Sequence, residues 1–359
     1  MTIRLNHSIA EKKLLASFKA PCKKADDVLE LISEVISGTH LTYKYILVTG
    51  LLAKATDEGV NPLALQAGAP IKGAYDARSL CHKVLVPFER NFLQSALGGS
   101  NEPFLNKPAR FTHLSETNAV RRGSDTETLK KVIKIFNSIK SSDDAQKYLA
   151  CTLKLIIQRI EHIAKIQDSS ISFNPSLIEV YEFIIHFLEK SFEGETCEIV
   201  VGTIEKIYHS LLKENYRVVP HKVNQSGASS KEVGDIDIFE NKTFKYAIEV
   251  KDKSFSVHDL EHAFSKIIKN KGSKGIFVYG PRASFDEDSI NEKLKEYEEG
   301  KFFTLFLDIY TYSKIMLFRC NITDKSIFVK TLIDTAVEVN SKENVIVWIQ
   351  ELLKKLNWK

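Results

Sequence analysis

One stretch of the chain, residues 234–251, restricts the possible folds more than any other. It reads Gly-Asp-Ile-Asp-Ile, then a short polar turn, then Tyr-Ala-Ile-Glu-Val-Lys. Apolar and polar residues alternate in both halves, which is the two-residue period of a half-buried β-strand. The turn Glu240-Asn241-Lys242-Thr243 is short enough to fold the two strands back on each other. The sequence therefore predicts an antiparallel hairpin, and with it a sheet.

The polar face of this hairpin combines carboxylates with an ammonium group. Side chains two residues apart share a face of a strand, so Asp235 and Asp237 point the same way. Glu249 and Lys251 share a face of the second strand for the same reason. The fold-back places Asp237 across from residue 247 or diagonal to Glu249, at roughly 5 to 8 Å. Two carboxylates and one ammonium would then converge on one patch.

The chemistry that fits this patch is phosphodiester hydrolysis. Carboxylate oxygens hold Mg²⁺ through one or two contacts while the ion keeps waters and takes up phosphate oxygens. A neighbouring lysine can orient the attacking water and offset charge in the transition state. We therefore predict Asp237 and Glu249 as metal ligands and Lys251 as the residue that positions the water. The alternative, from the pattern alone, is the solvated side of an ordinary half-buried hairpin.

The spacing of these residues also resembles a known signature. An Asp followed at twelve residues by Glu-Val-Lys, with Gly-Asp before it, is similar to the active-site motif of the PD-(D/E)xK nuclease superfamily. That superfamily includes many restriction endonucleases and junction resolvases, and its core is a helix, three strands, a helix and a further strand. The flanking sequence predicts a helix over 196–214, strands over 216–220 and 275–279, and a helix over 257–268. The resemblance implies an α/β nuclease domain with a mixed central sheet.

Two aspartates compete for the first position of this motif. Asp237 is favoured because it leads directly into an apolar strand, as the superfamily's metal-binding Asp usually does, and Asp235 is the alternative. Val233-Gly234 stands where the motif has Pro. Glu205, on the first helix, is a further candidate metal ligand because some superfamily members carry an extra acidic residue there. A solvated helix glutamate is the alternative for Glu205.

Two segments of the first half carry a second resemblance. They read Ala74-Tyr-Asp-Ala-Arg-Ser-Leu-Cys-His-Lys-Val-Leu-Val-Pro-Phe88 and Leu97-Gly-Gly-Ser-Asn-Glu-Pro-Phe-Leu-Asn-Lys-Pro-Ala-Arg-Phe111. Both are similar to the amino-terminal region of the SacI-type family of restriction endonucleases. The resemblance implies a type II enzyme that cuts double-stranded DNA at a short palindromic site with Mg²⁺. It also implies a two-fold homodimer, which matches the symmetry of such a site, and a partner DNA methyltransferase.

These segments hold side-chain types that suit DNA. Residues 98–110 are rich in Gly, Asn and Pro, which predicts a structured loop. Asn, Lys and Arg pair with base edges or phosphates. The candidate DNA-contacting residues here are Arg78, Lys83, Asn101, Asn106, Lys107 and Arg110. A solvated charged face is the alternative for Arg78 and Lys83, which lie on a predicted helix.

A second polar stretch, residues 224–231, leads into the first catalytic strand. Its small polar composition is typical of a loop that becomes ordered on a phosphate backbone. Ser229, Ser230 and Lys231 are therefore further candidates for DNA contact. The alternative is an ordinary connector.

Composition and periodicity define the domains. At 359 residues the chain has room for two cores, the first half reads helical, and strand signals begin only near residue 216. The polar stretch 191–195 marks the predicted boundary. We predict a helical domain, 1–192, for DNA recognition or dimerisation, and a nuclease domain, 193–359, with additions at its carboxyl end.

Charge and cysteine usage exclude other classes. A net charge of +4 is compatible with a DNA enzyme that localises its basic side chains. Five scattered cysteines without a Cys-x-x-Cys pair argue against structural zinc and a disulfide framework and for a reducing cytoplasm. No run of 18 apolar residues exists, so no membrane span is expected.

Two other functions stay open. A structure-selective nuclease, such as a junction resolvase or repair nuclease, would use the same motif, although the large helical domain offers more recognition surface than such enzymes generally carry. A DNA-binding module that kept the fold without catalysis is the non-enzymatic alternative. The intact set of Asp237, Glu249 and Lys251 argues against it.

Overall fold

The computed structural model describes residues 2–118, 124–169, 174–212, 215–221, 232–320 and 326–358. The chain divides into two units, Met1–Ala164 and Lys165–Lys359. The first unit is helical and the second contains the sheet, so the predicted α/β class with a helical first half is confirmed.

Unit 1 is organised around one almost fully buried helix, α3. The helices are α1 (His7–Lys19), α2 (Asp27–Ser37), α3 (Leu41–Thr56), α4 (Ala77–Leu80), α5 (Val86–Phe92), α6 (Ser124–Ser138) and α7 (Ser142–Ser169), the last of which continues past the unit boundary. A π-helical turn, Cys81–Leu85, joins α4 to α5. Helices α1, α2 and α4 are capped by Asn6, Asp26 and Asp76, the residues before them, whose side chains accept hydrogen bonds from first-turn amides.

A disulfide between Cys22 and Cys151 joins the segment after α1 to α7. Beside it, Lys24 pairs with Asp144 at 2.7 Å. The expectation of cysteines without a disulfide is therefore wrong for this pair. The two residues are 129 positions apart, and only the packing of the helices brings them together.

Unit 2 contains a five-stranded sheet in its described residues, with the strands in sequential order. Strands β1, β2 and β3 are antiparallel, whereas β3, β4 and β5 are parallel, which confirms the predicted mixed sheet. The strands are β1 (Tyr216–Pro220), β2 (Ile236–Glu240), β3 (Thr243–Lys251), β4 (Lys274–Tyr279) and β5 (Phe303–Asp308). The helices are α8 (Leu177–Phe187), α9 (Glu195–Leu211), α10 (Val257–Lys269), α11 (Glu287–Glu299), α12 (Ile309–Arg319), α13 (Ser326–Glu338) and α14 (Glu343–Lys355).

The hairpin that the sequence predicts is β2–β3. Asp237 lies across from Ala247, in the expected register. Asn241 and Lys242 form the turn with φ values of 49° and 67°, the positive values that a two-residue hairpin turn of type I′ requires. The order α9, β1, β2, β3, α10, β4 is the predicted series of a helix, three strands, a helix and a strand.

Helices cover both faces of this sheet. Helix α10 packs on the face that carries Ala247 and Phe277. Helix α9 lies on the opposite face, where its Glu205 contacts Tyr246. Helices α12 and α13 pack on α9, and α12 and α14 pack on α8, so α8 belongs structurally to unit 2. In the described residues no helix has the length and apolarity that crossing a bilayer requires.

Candidate active site

Four ionisable side chains interact near the carboxyl end of β3. Glu249 and Lys251 come from β3 itself, Asp235 from the turn that leads into β2, and Glu198 from α9. The backbone N–H of Asp235 donates to the carbonyl of Ile248 at 3.0 Å. Its carboxylate accepts from the N–H of Val250 at 2.8 Å. Asp235 is therefore held against β3 at the level of Glu249.

Glu249 and Lys251 form an ion pair with little exposure to solvent. The Glu249 side chain is 13% exposed and that of Lys251 is 20% exposed. Burial and then the Asp235 carboxylate raise the pKa of Glu249 to about 7, although Lys251 opposes the shift. Burial lowers the pKa of Lys251, but the carboxylates of Glu249 and Asp235 outweigh it and raise that pKa above its ordinary value. Lys251 thus keeps its positive charge at neutral pH, and Glu249 binds a proton more readily than an ordinary glutamate does.

Sequence reasoning missed Glu198, one of these four residues, and Lys266, whose charge acts on them from α10. Burial and then the Asp235 carboxylate raise the pKa of Glu198 well above its ordinary value. Lys266, on α10, lowers the pKa of Glu249. Glu198 and Glu205 are seven residues apart on α9, so the helical period places them on nearly the same side, about 10 Å apart along the axis. Spacing along the chain does not tell which of the two lies beside β3's carboxyl end.

Glu205, the predicted additional metal ligand, lies elsewhere. It is 1% exposed, and it accepts from the hydroxyls of Tyr246 at 3.1 Å and Tyr312 at 2.5 Å. The Nε2 atom of His209 lies 3.1 Å from the same carboxylate. These contacts tie α9 to β3 and α12 on the face of the sheet opposite to Glu249. The structure does not bring Glu205 into the cluster of Asp235, Glu249 and Lys251.

Asp237, the favoured first ligand, is fully buried and has partners of its own. Its Oδ2 accepts from His221 Nε2 at 2.7 Å and from the N–H of Val233 at 3.1 Å, and its Oδ1 accepts from the N–H of Gly234 at 2.9 Å. These hydrogen bonds connect His221, which follows β1, to the turn of Val233 and Gly234 before β2. Asp237 thus supports the turn that carries Asp235, and the structure places Asp235 beside Glu249 and Lys251 instead.

His221 strengthens this support. Burial lowers the pKa of His221, but the hydrogen bond to Asp237 and the charge of that carboxylate outweigh it and raise the pKa. His221 Nε2 lies 2.7 Å from Asp237 Oδ2, so the imidazole forms an ion pair with this buried carboxylate whenever it is protonated.

The carboxylates of this cluster fit a divalent cation. In the part of the chain that the structure describes, no three His, Cys, Asp or Glu side chains are grouped so that they could hold a metal ion by themselves. Mg²⁺ needs only one or two carboxylates, because water and phosphate oxygens complete its shell. Asp235 and Glu249 provide that pair, and their repulsion, which raises the pKa of Glu249, is what a bound cation would relieve.

The predicted DNA-contacting residues of the first half lie at the surface of unit 1. Arg78 is on α4 and pairs with Glu102 at 3.0 Å, and Arg90 donates to Asn101. Lys83 is on the π-helical turn. The side chains that are exposed include Lys83, Asn101, Asn106, Lys107 and Arg110. Ser229, Ser230 and Lys231 lie outside the described residues.

Comparison with known proteins covers both halves of the chain. Residues 7–160 match the SacI restriction endonuclease N-terminal domain, and residues 173–281 match the SacI restriction endonuclease C-terminal domain. The type II restriction enzyme SacI of Streptomyces achromogenes is 26% identical over 279 residues, which cover 74% of this chain and 73% of that enzyme. The second matched region contains α9, β1 to β4 and all four residues of the cluster.

Proposed function

This chain belongs to the SacI restriction endonuclease family, and we propose that it is a type II restriction endonuclease. The proposed reaction is the Mg²⁺-dependent hydrolysis of phosphodiester bonds in double-stranded DNA at a short palindromic site. The observation that carries this proposal is the cluster of Asp235, Glu249 and Lys251 at the carboxyl end of β3, inside the region that matches the family. Carboxylates and a cation grouped at the end of a strand are suited to hydrolysis at phosphorus.

Each residue of the cluster has a proposed role. Asp235 and Glu249 would hold Mg²⁺, which supplies electrophilic activation of the phosphoryl group when bound. Lys251 orients the attacking water and offsets the negative charge that grows on the phosphoryl oxygens. Glu198 keeps its proton to a higher pH than an ordinary glutamate, so it can donate a hydrogen bond without adding negative charge to the site.

The first carboxylate of the motif is assigned here to Asp235. Its carboxylate interacts with Glu249 and Lys251, whereas that of Asp237 binds His221 and the amides of the turn. The roles of Asp237 and Glu205 as metal ligands stay predictions, and the contacts of these two side chains do not favour those roles. A homodimer, a partner methyltransferase and a location in the cytoplasm stay predictions of the restriction function.

Cleavage of plasmid and phage DNA tests the proposal. With purified protein and Mg²⁺, we expect discrete fragments whose ends share one short palindromic sequence. Cutting that is confined to branched or damaged DNA would instead support a structure-selective nuclease. Binding of duplex DNA without any cleavage would support the non-catalytic alternative.

The affinity for Mg²⁺ is expected to depend on pH through Glu249. Its pKa of about 7 means that a proton competes with the cation below neutral pH. The Mg²⁺ concentration that gives half of the maximal rise in unfolding temperature should therefore fall roughly tenfold between pH 6 and pH 8, mostly below pH 7.

Thermal unfolding measured at several Mg²⁺ concentrations and at pH 6, 7 and 8 checks this dependence without relying on activity. Each pH has its own metal-free reference, so the effect of pH on stability itself cancels. A half-maximal concentration that is the same at pH 6 and pH 8 would contradict the role of Glu249 as a ligand.

A further inference from the structure

A buried carboxylate holds the loop that carries the predicted base-contacting side chains. Glu89, on α5, is fully buried. Its Oε1 accepts from the N–H groups of Leu97 at 2.9 Å and Gly99 at 3.1 Å, and its Oε2 accepts from the hydroxyl of Tyr45 at 2.6 Å. The same tyrosine oxygen accepts from the N–H of Ser100 at 2.9 Å. One carboxylate and one hydroxyl thus bind three amides at the start of the loop.

The backbone at this point adopts a shape that needs such support. Gly98 and Gly99 have φ values of +127° and +63°, in the region that favours glycine. At the far end of the loop, Gln66 donates to the carbonyl of Arg110 at 3.0 Å. The start of the loop is therefore fixed to helices α3 and α5 through buried side chains, and its far end is tied to Gln66 at the surface, which confirms the predicted structured loop.

Stability alone gives little reason for a buried carboxylate here. Replacing buried ionic groups with well-packed apolar residues is often neutral or stabilising, so they are poor evidence for a stabilising role. The partners of Glu89 are the amides of Leu97 and Gly99 and the hydroxyl of Tyr45, which itself binds Ser100. These hydrogen bonds determine the shape of the loop.

The loop presents polar side chains that can donate hydrogen bonds to DNA. Asn101, Asn106, Lys107 and Arg110 are exposed beyond the anchored amides. Asn and Arg can form paired hydrogen bonds with adenine and guanine in the major groove of duplex DNA. Recognition of this kind requires a side chain to be held within about 0.5 Å of its productive position, because a misplaced donor no longer forms a well-aligned hydrogen bond with the base.

We propose that Glu89 and Tyr45 are positioning residues for the recognition of the DNA sequence. They fix the start of the loop 97–110 so that its Asn and Arg side chains meet base edges, and they do not touch DNA themselves. The inference rests on the proposed function and adds to it the device that sets specificity. Neither residue belongs to the catalytic cluster, which lies in unit 2.

The test compares Tyr45→Phe and Glu89→Gln with the wild-type enzyme on its own site and on sites with one base pair changed. Contacts that a single mismatched base pair disrupts are the ones that the loop positions, so discrimination should fall roughly tenfold in each variant. The loss should appear in kcat/KM for the correct site, because looser side chains bind it less well. The kcat at saturating DNA should change much less.

Tyr43→Phe is the matched control. Tyr43 is also on α3 and 1% exposed, but its hydroxyl interacts with Asp125 and not with the loop. Only Tyr45→Phe should lose discrimination, and urea unfolding of both variants measures how much stability each substitution costs. If Glu89→Gln does not fold, Tyr45→Phe, which removes only one hydroxyl group, decides the question.

The outcomes separate this inference from the proposed function. A wild-type enzyme that cuts at a defined site, with a Tyr45→Phe variant that discriminates equally well, would overturn the positioning role alone. Equal losses of discrimination in Tyr43→Phe and Tyr45→Phe would overturn it too, because they would show a general effect of stability. A wild-type protein with no preferred site would overturn the proposed function and this inference together.

Discussion

Replacing Asp235 with asparagine is expected to slow DNA cleavage by at least about 100-fold, because losing a supporting partner of a metal ligand already costs 10- to 100-fold. The amide has nearly the size of the carboxylate, and its oxygen can still accept from the N–H of Val250. What the variant lacks is the negative charge beside Glu249. The effect should therefore appear in the cleavage rate while the stability of unit 2 stays close to that of the wild type.

Asp237→Asn is the matched comparison, two residues further along the chain and inside β2. Both oxygens of Asp237 accept hydrogen bonds, from His221 Nε2 and from the amides of Val233 and Gly234. Asparagine would turn an N–H donor toward one of these donors. Leaving a buried donor without an acceptor costs about 1 to 3 kcal/mol, so the free energy of unfolding should fall by that amount. Cleavage at saturating Mg²⁺ should survive in the folded fraction.

Single-turnover cleavage and urea unfolding of both variants decide between the two aspartates. The expected pattern is a stable, nearly inactive Asp235→Asn enzyme and a destabilised, active Asp237→Asn enzyme. The opposite pattern would restore Asp237 as the metal ligand and make Asp235 the residue that supports the turn. Equal loss of activity in both, without loss of stability, would mean that both carboxylates act directly in the reaction.

The hairpin shows what the sequence could and could not predict. The alternation of apolar and polar residues determines the strands, the turn and the register of Asp237 with Ala247, because all three are local properties. The same alternation places Asp235 and Asp237 on one face, so it cannot choose between them. The choice depends on the packing of α10 over Ala247 and on the amides of Val233 and Gly234.

The acidic residues of α9 show a similar limit. Glu198 and Glu205 share a side of the helix, and only the placement of α9 against the sheet separates their environments. Tyr312 contacts Glu205 from more than a hundred residues away along the chain. No spacing rule reports such a contact. The disulfide between Cys22 and Cys151 escaped prediction for the same reason, because helix packing forms it.

Replacing Lys251 with methionine is the second substitution with a large expected effect. Methionine keeps the four-atom apolar stem of lysine but removes the ammonium group and its positive charge. Removing one group that stabilises the charge of the transition state lowers kcat by about 10²- to 10³-fold, and we expect a loss of that size here. Because the pKa of Lys251 is raised, the wild-type side chain keeps its positive charge at neutral pH.

Lys251→Met should also change the pH dependence of Mg²⁺ binding. Lys251 lowers the pKa of Glu249, so its loss should raise that pKa further and shift the pH dependence of Mg²⁺ affinity upward. A lysine that merely fills space beside β3 would not produce this shift. Thermal unfolding with Mg²⁺ at pH 7 and pH 8 measures it separately from the cleavage rate.

Lys253→Met is the control for a general loss of positive charge. Lys253 is exposed, in the segment after β3, only two residues from Lys251. A loss of attraction for DNA would weaken binding in both variants, and the cleavage rate at saturating enzyme would then stay close to that of the wild type. A residue that acts on the reacting phosphate lowers the rate after DNA is fully bound. Lys251→Met should therefore differ from Lys253→Met in the single-turnover rate, and equal rates for the two variants would remove Lys251 from the catalytic cluster.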